Sequence, residues 1–253
     1  MSWQLRFLGV GDAHAGGELG TAAAVLERDA QPILLIDCGP GTVARYLAAY
    51  GALPKALFIT HTHLDHVGDM EQLFARLWFA DKPPAGLKVF VHAGVLPWLH
   101  ARVADYPGAV AEGGVNFWEA FQLVPCTRGF WLDGWWFDLF ATRHHVPGTS
   151  YGVALQGSLA YTGDTRPIPE MLALRAAHGE LVAHDCGLLA NPSHTGVDDL
   201  AREYPAELRS RLLLYHYAST EAGTAMAGYG YRVALAGQQV ALPTPAAPRP
   251  DAG

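Results

Sequence analysis

The residues His61-Thr62-His63-Leu64-Asp65-His66 place four potential metal ligands within six positions. They follow the apolar residues 55–60, which predict a buried strand, and precede residues 69–79, which predict a helix. Neutral imidazoles bind zinc, iron or manganese well, and a carboxylate compensates the charge of the ion. Four ligands in so short a loop are too many for one tetrahedral ion. The sequence therefore predicts two adjacent ions, with His61 and His63 on one and Asp65 and His66 on the other.

Strands and helices are predicted along the whole length of the chain, without an internal repeat or a clear linker. This alternation favours a single α/β domain of stacked layers, and 253 residues suffice for one large core. We expect the domain to cover residues 1–242. Residues 243–253 are rich in proline and alanine, and they are expected to form a flexible tail.

The hexapeptide matches the H-x-H-x-D-H signature of the metallo-β-lactamase superfamily, and further segments resemble that family in the same order. Tyr161-Thr162-Gly163-Asp164-Thr165 resembles the segment whose aspartate bridges two ions, and Leu214-Tyr215-His216 resembles the segment with the last metal histidine. The resemblance implies a four-layer αββα sandwich with a dinuclear site, holding zinc or else manganese or iron, at one edge of its two sheets. It implies the following metal ligands: His61, His63, Asp65, His66, His145, Asp164 and His216.

Two neighbouring histidines, His144 and His145, compete for one ligand position, and only one of them is expected to bind metal. His145 is preferred because it lies nearer to Tyr151-Gly152, as in relatives, which leaves His144 for the rim of the site. The resemblance also implies that Asp37 holds the metal loop through hydrogen bonds without being a ligand.

The resemblance further implies a proton donor for the leaving group, which hydrolysis needs in addition to a metal-activated water. In the tRNase Z and cyclic-phosphodiesterase branch, an acidic residue orients a histidine that is not a ligand. Asp185 and His194 are similar to that pair in order and spacing, so His194 is the predicted general acid and Asp185 its orienting partner. Asp65 is expected both to bind metal and to accept a proton. The other interpretation is that His194 only caps the helix predicted from Val197.

The chain also departs from the tRNase Z pattern. Only 18 residues separate His145 from Asp164, where those enzymes carry a long substrate arm, and the loop at residues 12–17 lacks basic character. With a net charge of −7, a large RNA is an unfavourable partner. The expected function is a phosphodiesterase acting on small or cyclic phosphodiesters. The alternatives are a lactonase, thioesterase or β-lactamase-like hydrolase, an RNA-processing nuclease, an oxygen-using iron enzyme, and a binding protein on a decayed scaffold.

The cysteines Cys38, Cys126 and Cys186 form neither a metal motif nor a disulfide framework, which favours reduced thiols in the cytoplasm. Neither a signal peptide nor an apolar run of ~18 residues is evident, so no membrane span is expected. The resemblance allows a homodimer. Five tryptophans between residues 95 and 143 are expected to pack in the core and lid, with a role in lining a substrate pocket as the alternative.

Overall fold

The computed structural model describes residues 1–15, 17–80, 86–110 and 113–246, and two seven-stranded sheets dominate its architecture. The first sheet contains β1 (Trp3–Gly9), β2 (Ala23–Arg28), β3 (Gln31–Ile36), β4 (Ala56–Ile59), β5 (Leu87–His92) and β6 (Phe121–Cys126), with β14 (Gln239–Leu242) at its far edge. The second contains β7 (Gly129–Leu132), β8 (Trp135–Ala141), β9 (Tyr151–Leu155), β10 (Leu159–Tyr161), β11 (Leu181–Asp185), β12 (Leu212–Tyr215) and β13 (Arg232–Val233).

Strand order explains how the two sheets can share one functional edge. The orders are β14-β1-β2-β3-β4-β5-β6 and β13-β12-β11-β10-β9-β8-β7. Strands β3 to β6 run parallel, and so do β10 to β13. The carboxyl ends of parallel strands lie at the same edge of a sheet, so the loops that follow β4, β10, β11 and β12 can carry residues of one site.

Helices cover the outer faces of both sheets. They are α1 (Thr42–Tyr50), α2 (Leu64–Val67), α3 (Met70–Trp78), α4 (Leu96–Val103), α5 (Pro169–Arg175), α6 (Val197–Glu203), α7 (Ala206–Arg209) and α8 (Thr220–Gly228). One apolar cluster joins the facing surfaces of the sheets, with members such as Phe7, Phe58 and Phe137, and a second packs α1, α3 and α4 onto the first sheet. This is the αββα arrangement that the sequence predicts.

Helix α4 and strand β7, in the middle of the chain, are among the elements that the sequence does not predict. Helix α4 begins with Leu96-Pro97-Trp98. Proline suits the first turn of a helix because backbone N–H groups at that position have no acceptor within the helix, so lacking one costs nothing. Strand β7 pairs with β8 across the turn at Asp133-Gly134, where both residues have positive φ. Short elements such as these depend on their neighbours more than on local sequence pattern.

The C-terminal segment is partly tied down. Pro245 is buried, and the amide of Ala246 donates to the carbonyl of Gln156 over 2.9 Å, so residues 243–246 pass from β14 of the first sheet to the β9–β10 turn of the second. Residues 247–253, the rest of the tail predicted to be flexible, lie outside the described residues.

In the described part of the chain, no helix combines the length and apolarity needed to cross a membrane.

Candidate metal centre

The first half of the site is the loop that follows β4. His63 is the residue before α2, so Asp65 and His66 lie in the first turn of that short helix. His61 and His66 are fully buried, and Asp65 is almost so. A strand end that turns at once into a helix therefore points all four predicted ligands of this loop toward the space between the sheets.

Asp37 and Thr60 hold this loop in place. The backbone N–H of Thr60 donates to Oδ1 of Asp37 over 2.9 Å, and Nδ1 of His66 donates to Oδ2 of Asp37 over 2.9 Å. Asp37 has a φ of 63°, a left-handed conformation that costs a non-glycine residue about 1–3 kcal/mol. The contacts around Asp37 maintain this conformation, and they leave Nε2 of His66 facing the site.

The second half comes from loops of the other sheet. Asp164 follows β10 and is buried, and His216 follows β12 with a φ of 68°. The backbone N–H of His216 donates over 2.7 Å to the carbonyl of Val10, which directly follows β1, so this loop is fixed against the first sheet. The structure thus brings residues more than 150 positions apart in the sequence to one place.

Asp164 lies at the centre of the assembled side chains. Its Oδ2 is 3.6 Å from Nε2 of His61, 3.2 Å from that of His66, 3.7 Å from that of His144 and 3.3 Å from that of His216. Three sets of potential ligand atoms, each within 4.8 Å of one another, all contain this aspartate. The sets are His61, His63, His144 and Asp164; Asp65, His66, Asp164 and His216; and Asp164, Asp185, His194 and His216.

The structure differs from the prediction at the third histidine. His144 is buried, and its Nε2 lies 3.0 Å from Nδ1 of His63, whereas His145 is exposed and its Nδ1 contacts the hydroxyl of Thr149. The carbonyl of Ser193, which can only accept, lies 3.1 Å from Nδ1 of His144. Nδ1 therefore donates, and the lone pair on Nε2 faces the other histidines. The geometry thus favours His144 over His145 as the candidate ligand, because the turn after Ala141 points the earlier ring inward, and the assignment of either histidine stays a prediction.

The donor set fits divalent metal ions. Nε2 of His61, Nε2 of His66 and Oδ1 of Asp164 are buried without any hydrogen-bond partner among the described residues. Buried polar atoms nearly always have partners, so three such atoms without partners within one cluster of candidate ligands are consistent with metal binding. Ligands of one tetrahedral zinc, bound at 2.0–2.1 Å, lie about 3.4 Å apart. This is close to the 3.2–3.7 Å between Oδ2 of Asp164 and the surrounding imidazole nitrogens. The clusters can therefore hold divalent metal.

The two ends of the centre differ in their electrostatics. Burial lowers the pKa of His61 well below its usual value and that of His144 to about 4, so these rings are neutral near pH 7. Burial also disfavours protonation of His66 and His216, but Asp164 and further carboxylates outweigh it and raise both pKa values well above the usual range. One end is thus rich in neutral imidazole, and the other is rich in carboxylate.

His194 lies beside the metal ligands, with Asp185 behind it. Nδ1 of His194 is 2.8 Å from Oδ2 of Asp185, and Oδ1 of the same carboxylate is 3.3 Å from Nδ1 of His216. Burial lowers the pKa of His194, but the hydrogen bond and charge of Asp185 outweigh it, so the pKa lies above the usual value. Asp185 is fully buried and also accepts from the backbone N–H of Thr165. The arrangement leaves Nε2 of His194 free for a proton transfer.

A cavity of about 470 Å³ opens over the metal ligands. Its lining contains His63, Asp65, Asp164, His194 and His216 together with the following residues: Asp12, Ala13, His14, Gly187, Leu188, Leu189, Asn191, Ala218 and Ala222. No tryptophan belongs to this described lining, so the sequence-based alternative of a tryptophan-lined pocket finds no support here.

Three features were not singled out by the sequence analysis. Thr60 binds Asp37, Ser193 orients His144, and the leucines Leu188 and Leu189 border the cavity. Of these, only Thr60 carries a sequence signal, because it lies between an apolar strand and the histidine loop. His184 is buried, with its ring nitrogens 2.6 Å from the carbonyl of Asp185 and 2.7 Å from the hydroxyl of Tyr204. It is a structural residue.

Comparisons with known proteins place the chain among similar sequences and folds. The family described as anti-Pycsar protein Apyc1 matches residues 3–239. The protein of that name from Paenibacillus xerothermodurans is 30% identical over 230 residues, covering 86% of this chain and 88% of the relative. Ribonuclease Z from Mycobacterium sp. (strain KMS) is 27% identical over 208 residues, which cover 74% of this chain and 67% of that relative. The metallo-β-lactamase fold protein YhfI from Bacillus subtilis superposes with a TM-score of 0.75 at 14% identity, covering 95% of this chain and all of YhfI. The fold is that of the metallo-β-lactamase superfamily.

Proposed function

Because the chain belongs to the anti-Pycsar protein Apyc1 family and is a metal-dependent hydrolase, we propose that it is a phosphodiesterase whose substrates are small, above all cyclic, phosphodiesters. One observation carries this proposal. Two sets of metal ligands share Asp164, and a histidine held by a buried carboxylate, His194 on Asp185, lies at the same cavity. Phosphodiester hydrolysis needs both parts, a centre that activates water and a donor that protonates the leaving oxygen.

Two metal ions, with zinc as the preferred element and manganese or iron as alternatives, are proposed for the two sets. His61, His63, His144 and Asp164 would hold one ion, and Asp65, His66, Asp164 and His216 the other. When bound, two divalent ions lower the pKa of a shared water and polarise a phosphoryl oxygen. Mixed imidazole and carboxylate ligands suit zinc, although they do not discriminate strongly against manganese or iron.

Proton transfer is assigned to side chains at the cavity. Oδ2 of Asp65 lies 3.4 Å from Nε2 of His216, and Asp65 lines the cavity, where it can accept the proton that the attacking water loses. The carboxylate of Asp185 holds Nδ1 of His194, so Nε2–H of that ring donates its proton to the leaving oxygen as the P–O bond breaks. Asp185 is a positioning residue, because it touches His194 rather than the substrate.

The shape and charge of the cavity favour a small substrate. Only the β9–β10 hairpin connects the third histidine segment with Asp164, and the described lining of the cavity contains neither lysine nor arginine. A nuclease that binds a long RNA gains most of its affinity from basic contacts to phosphates. A cyclic nucleotide or related cyclic phosphate presents one phosphodiester and fits such a cavity. A cytoplasmic location and a homodimer stay predictions.

The proposed function is tested by a substrate panel on the metal-loaded protein. Turnover of bis(p-nitrophenyl) phosphate and of cyclic nucleoside monophosphates is compared with turnover of a lactone, a β-lactam and a precursor tRNA, and metal content is measured on the same sample. Phosphodiester turnover with about two ions per chain is the expected result. Turnover of the carbonyl substrates alone would overturn the proposal, and efficient cleavage of the tRNA alone would replace it by RNA processing.

The role of His194 predicts a dependence on the leaving group. His194→Ala should reduce turnover of a cyclic nucleotide, whose alkoxide leaves poorly, by about 10²–10⁴-fold, the usual contribution of general acid catalysis. Turnover of bis(p-nitrophenyl) phosphate should change far less, because p-nitrophenolate leaves without a proton. Metal content is the control and should stay at the wild-type value. Equal losses on both substrates would contradict the assignment of His194 as the acid.

A further inference from the structure

The loop that carries His194 also carries two exposed leucines. Residues 187–196, called here the acid loop, leave β11 just after Asp185 and return to α6. The backbone N–H of Gly187 donates to the carbonyl of Thr195 over 2.9 Å, and Asn191 and His194 pair through their backbones. The loop is therefore a closed hairpin rather than an open excursion of the chain.

Two contacts fix the acid loop relative to the metal ligands. A Cβ on Gly196 would meet the backbone nitrogen of Ala190 at 2.2 Å, so the end of the loop packs against its middle without room for a side chain. The hydroxyl of Thr195 donates to the carbonyl of Thr165 over 2.7 Å, which ties the loop to the segment of Asp164. Whatever the loop presents to the cavity is consequently held at a defined position.

The acid loop presents apolar surface to the cavity. Leu188 is 37% exposed and Leu189 is 80% exposed, yet both line the same cavity as Asp65, Asp164 and His194. Ala13, Ala218 and Ala222 contribute further apolar surface to that lining. Large apolar side chains that border a polar binding cavity commonly contact the apolar part of a ligand.

The position and charge of this surface define the ligand group that it fits. The leucines share a loop with the proton donor, so they border the region that the leaving-group side of a substrate enters. The lining of this cavity lacks lysine and arginine, whereas Arg143, Arg166 and Arg202 line a neighbouring cavity that shares Asn191 and His194. A second phosphate placed beside the leucines would therefore meet no cationic side chain in this lining. A flat, uncharged heterocycle attached to a single phosphodiester meets both conditions.

We propose that Leu188 and Leu189 are specificity-determining residues that contact a flat aromatic group, such as a nucleobase, on a substrate with one phosphate. The inference rests on the proposed function for its substrate, but it concerns a separate part of the cavity. Both leucines act on binding rather than on bond breaking, because neither carries a group that can bind metal or move a proton.

The test compares two ligands that differ only in the base, adenosine 5′-monophosphate and ribose 5-phosphate, by calorimetry on the metal-loaded protein. Leu188→Ser and Leu189→Ser are the variants, and Leu174→Ser, at a 70% exposed leucine of α5 outside the cavity lining, is the matched control. We expect the affinity of the leucine variants for adenosine 5′-monophosphate to fall about tenfold, with little change for ribose 5-phosphate. KM for 3′,5′-cyclic AMP should rise in parallel at a nearly constant kcat.

Several outcomes would overturn the inference. They are equal losses for both ligands, no loss in either leucine variant, or equal affinities of the wild-type protein for the two ligands. A wild-type dimer that becomes monomeric only in the leucine variants would assign these side chains to contact with a second copy of the chain. Failure of the proposed function gives a distinct pattern, in which the base still strengthens binding but no phosphodiester is hydrolysed.

Discussion

The two halves of the metal centre are built in different ways. The first sheet supplies its ligands from one hexapeptide, His61 to His66, at the end of a single strand. The second sheet supplies its share from separate loops, with His144, Asp164 and His216 spread over more than 70 positions. In the first half, local spacing decides the geometry. In the second, the order of segments is encoded locally, but the direction of each side chain depends on how its loop packs.

Both halves nevertheless share one feature, a buried carboxylate that contacts Nδ1 of a candidate ligand histidine. Asp37 contacts Nδ1 of His66, and Asp185 contacts Nδ1 of His216. Each also accepts a backbone N–H, from Thr60 and Thr165 respectively. Such partners orient a metal-binding ring and raise its basicity. The difference is that Asp185 holds a second histidine, His194, and so connects its half of the site to proton transfer.

The largest expected effect comes from the residue that joins the halves. Asp164 belongs to every set of candidate ligands, so Asp164→Ala should lose metal and reduce phosphodiester turnover by about 10³-fold or more, as follows when several kcal/mol of charge stabilisation disappear. Metal content by mass spectrometry and steady-state kinetics measure both losses. Asp198→Ala, at an exposed aspartate of α6, is the control. Two ions retained by the Asp164 variant would refute its bridging role.

A smaller effect distinguishes the neighbouring histidines. His144→Ala should lower the metal content by about one ion and turnover by about 10²-fold, because it removes one of the four side chains proposed to hold that ion. His145→Ala serves as the matched variant and should keep both values close to wild type, since its ring is exposed and bonded to Thr149. The reverse pattern would restore the preference based on sequence for His145.

This pair shows where sequence reasoning stops. The αββα fold, the order of the ligand segments and the proximity of Asp185 to His194 can all be anticipated from the resemblance to the metallo-β-lactamase superfamily, because signature residues and their order are visible in the sequence. The choice between His144 and His145 depends on the carbonyl of Ser193, which lies 49 positions later and faces His144 only in the folded chain. The roles of Leu188 and Leu189 cannot be predicted from the sequence for a similar reason. Two leucines in a sequence predict burial, and only the closed loop exposes them.

The smallest expected effect concerns Gly163, which packs against Thr60 where the loops of the two sheets meet. Gly163, before Asp164, has a φ of 65°, and a Cβ there would lie 3.0 Å from Cβ of Thr60. Gly163→Ala should cost about 1–2 kcal/mol of unfolding free energy from the left-handed backbone, or about 2–8 °C in Tm. Gly134→Ala provides the control, because Gly134 has a φ of 80° and open space around it. Both variants are destabilised by backbone strain, but only Gly163→Ala pushes Asp164 away from the loop of Thr60. Only that variant should therefore weaken metal affinity. Equal metal affinities in the two variants would show that the position of Asp164 does not depend on the close packing of Gly163 against Thr60.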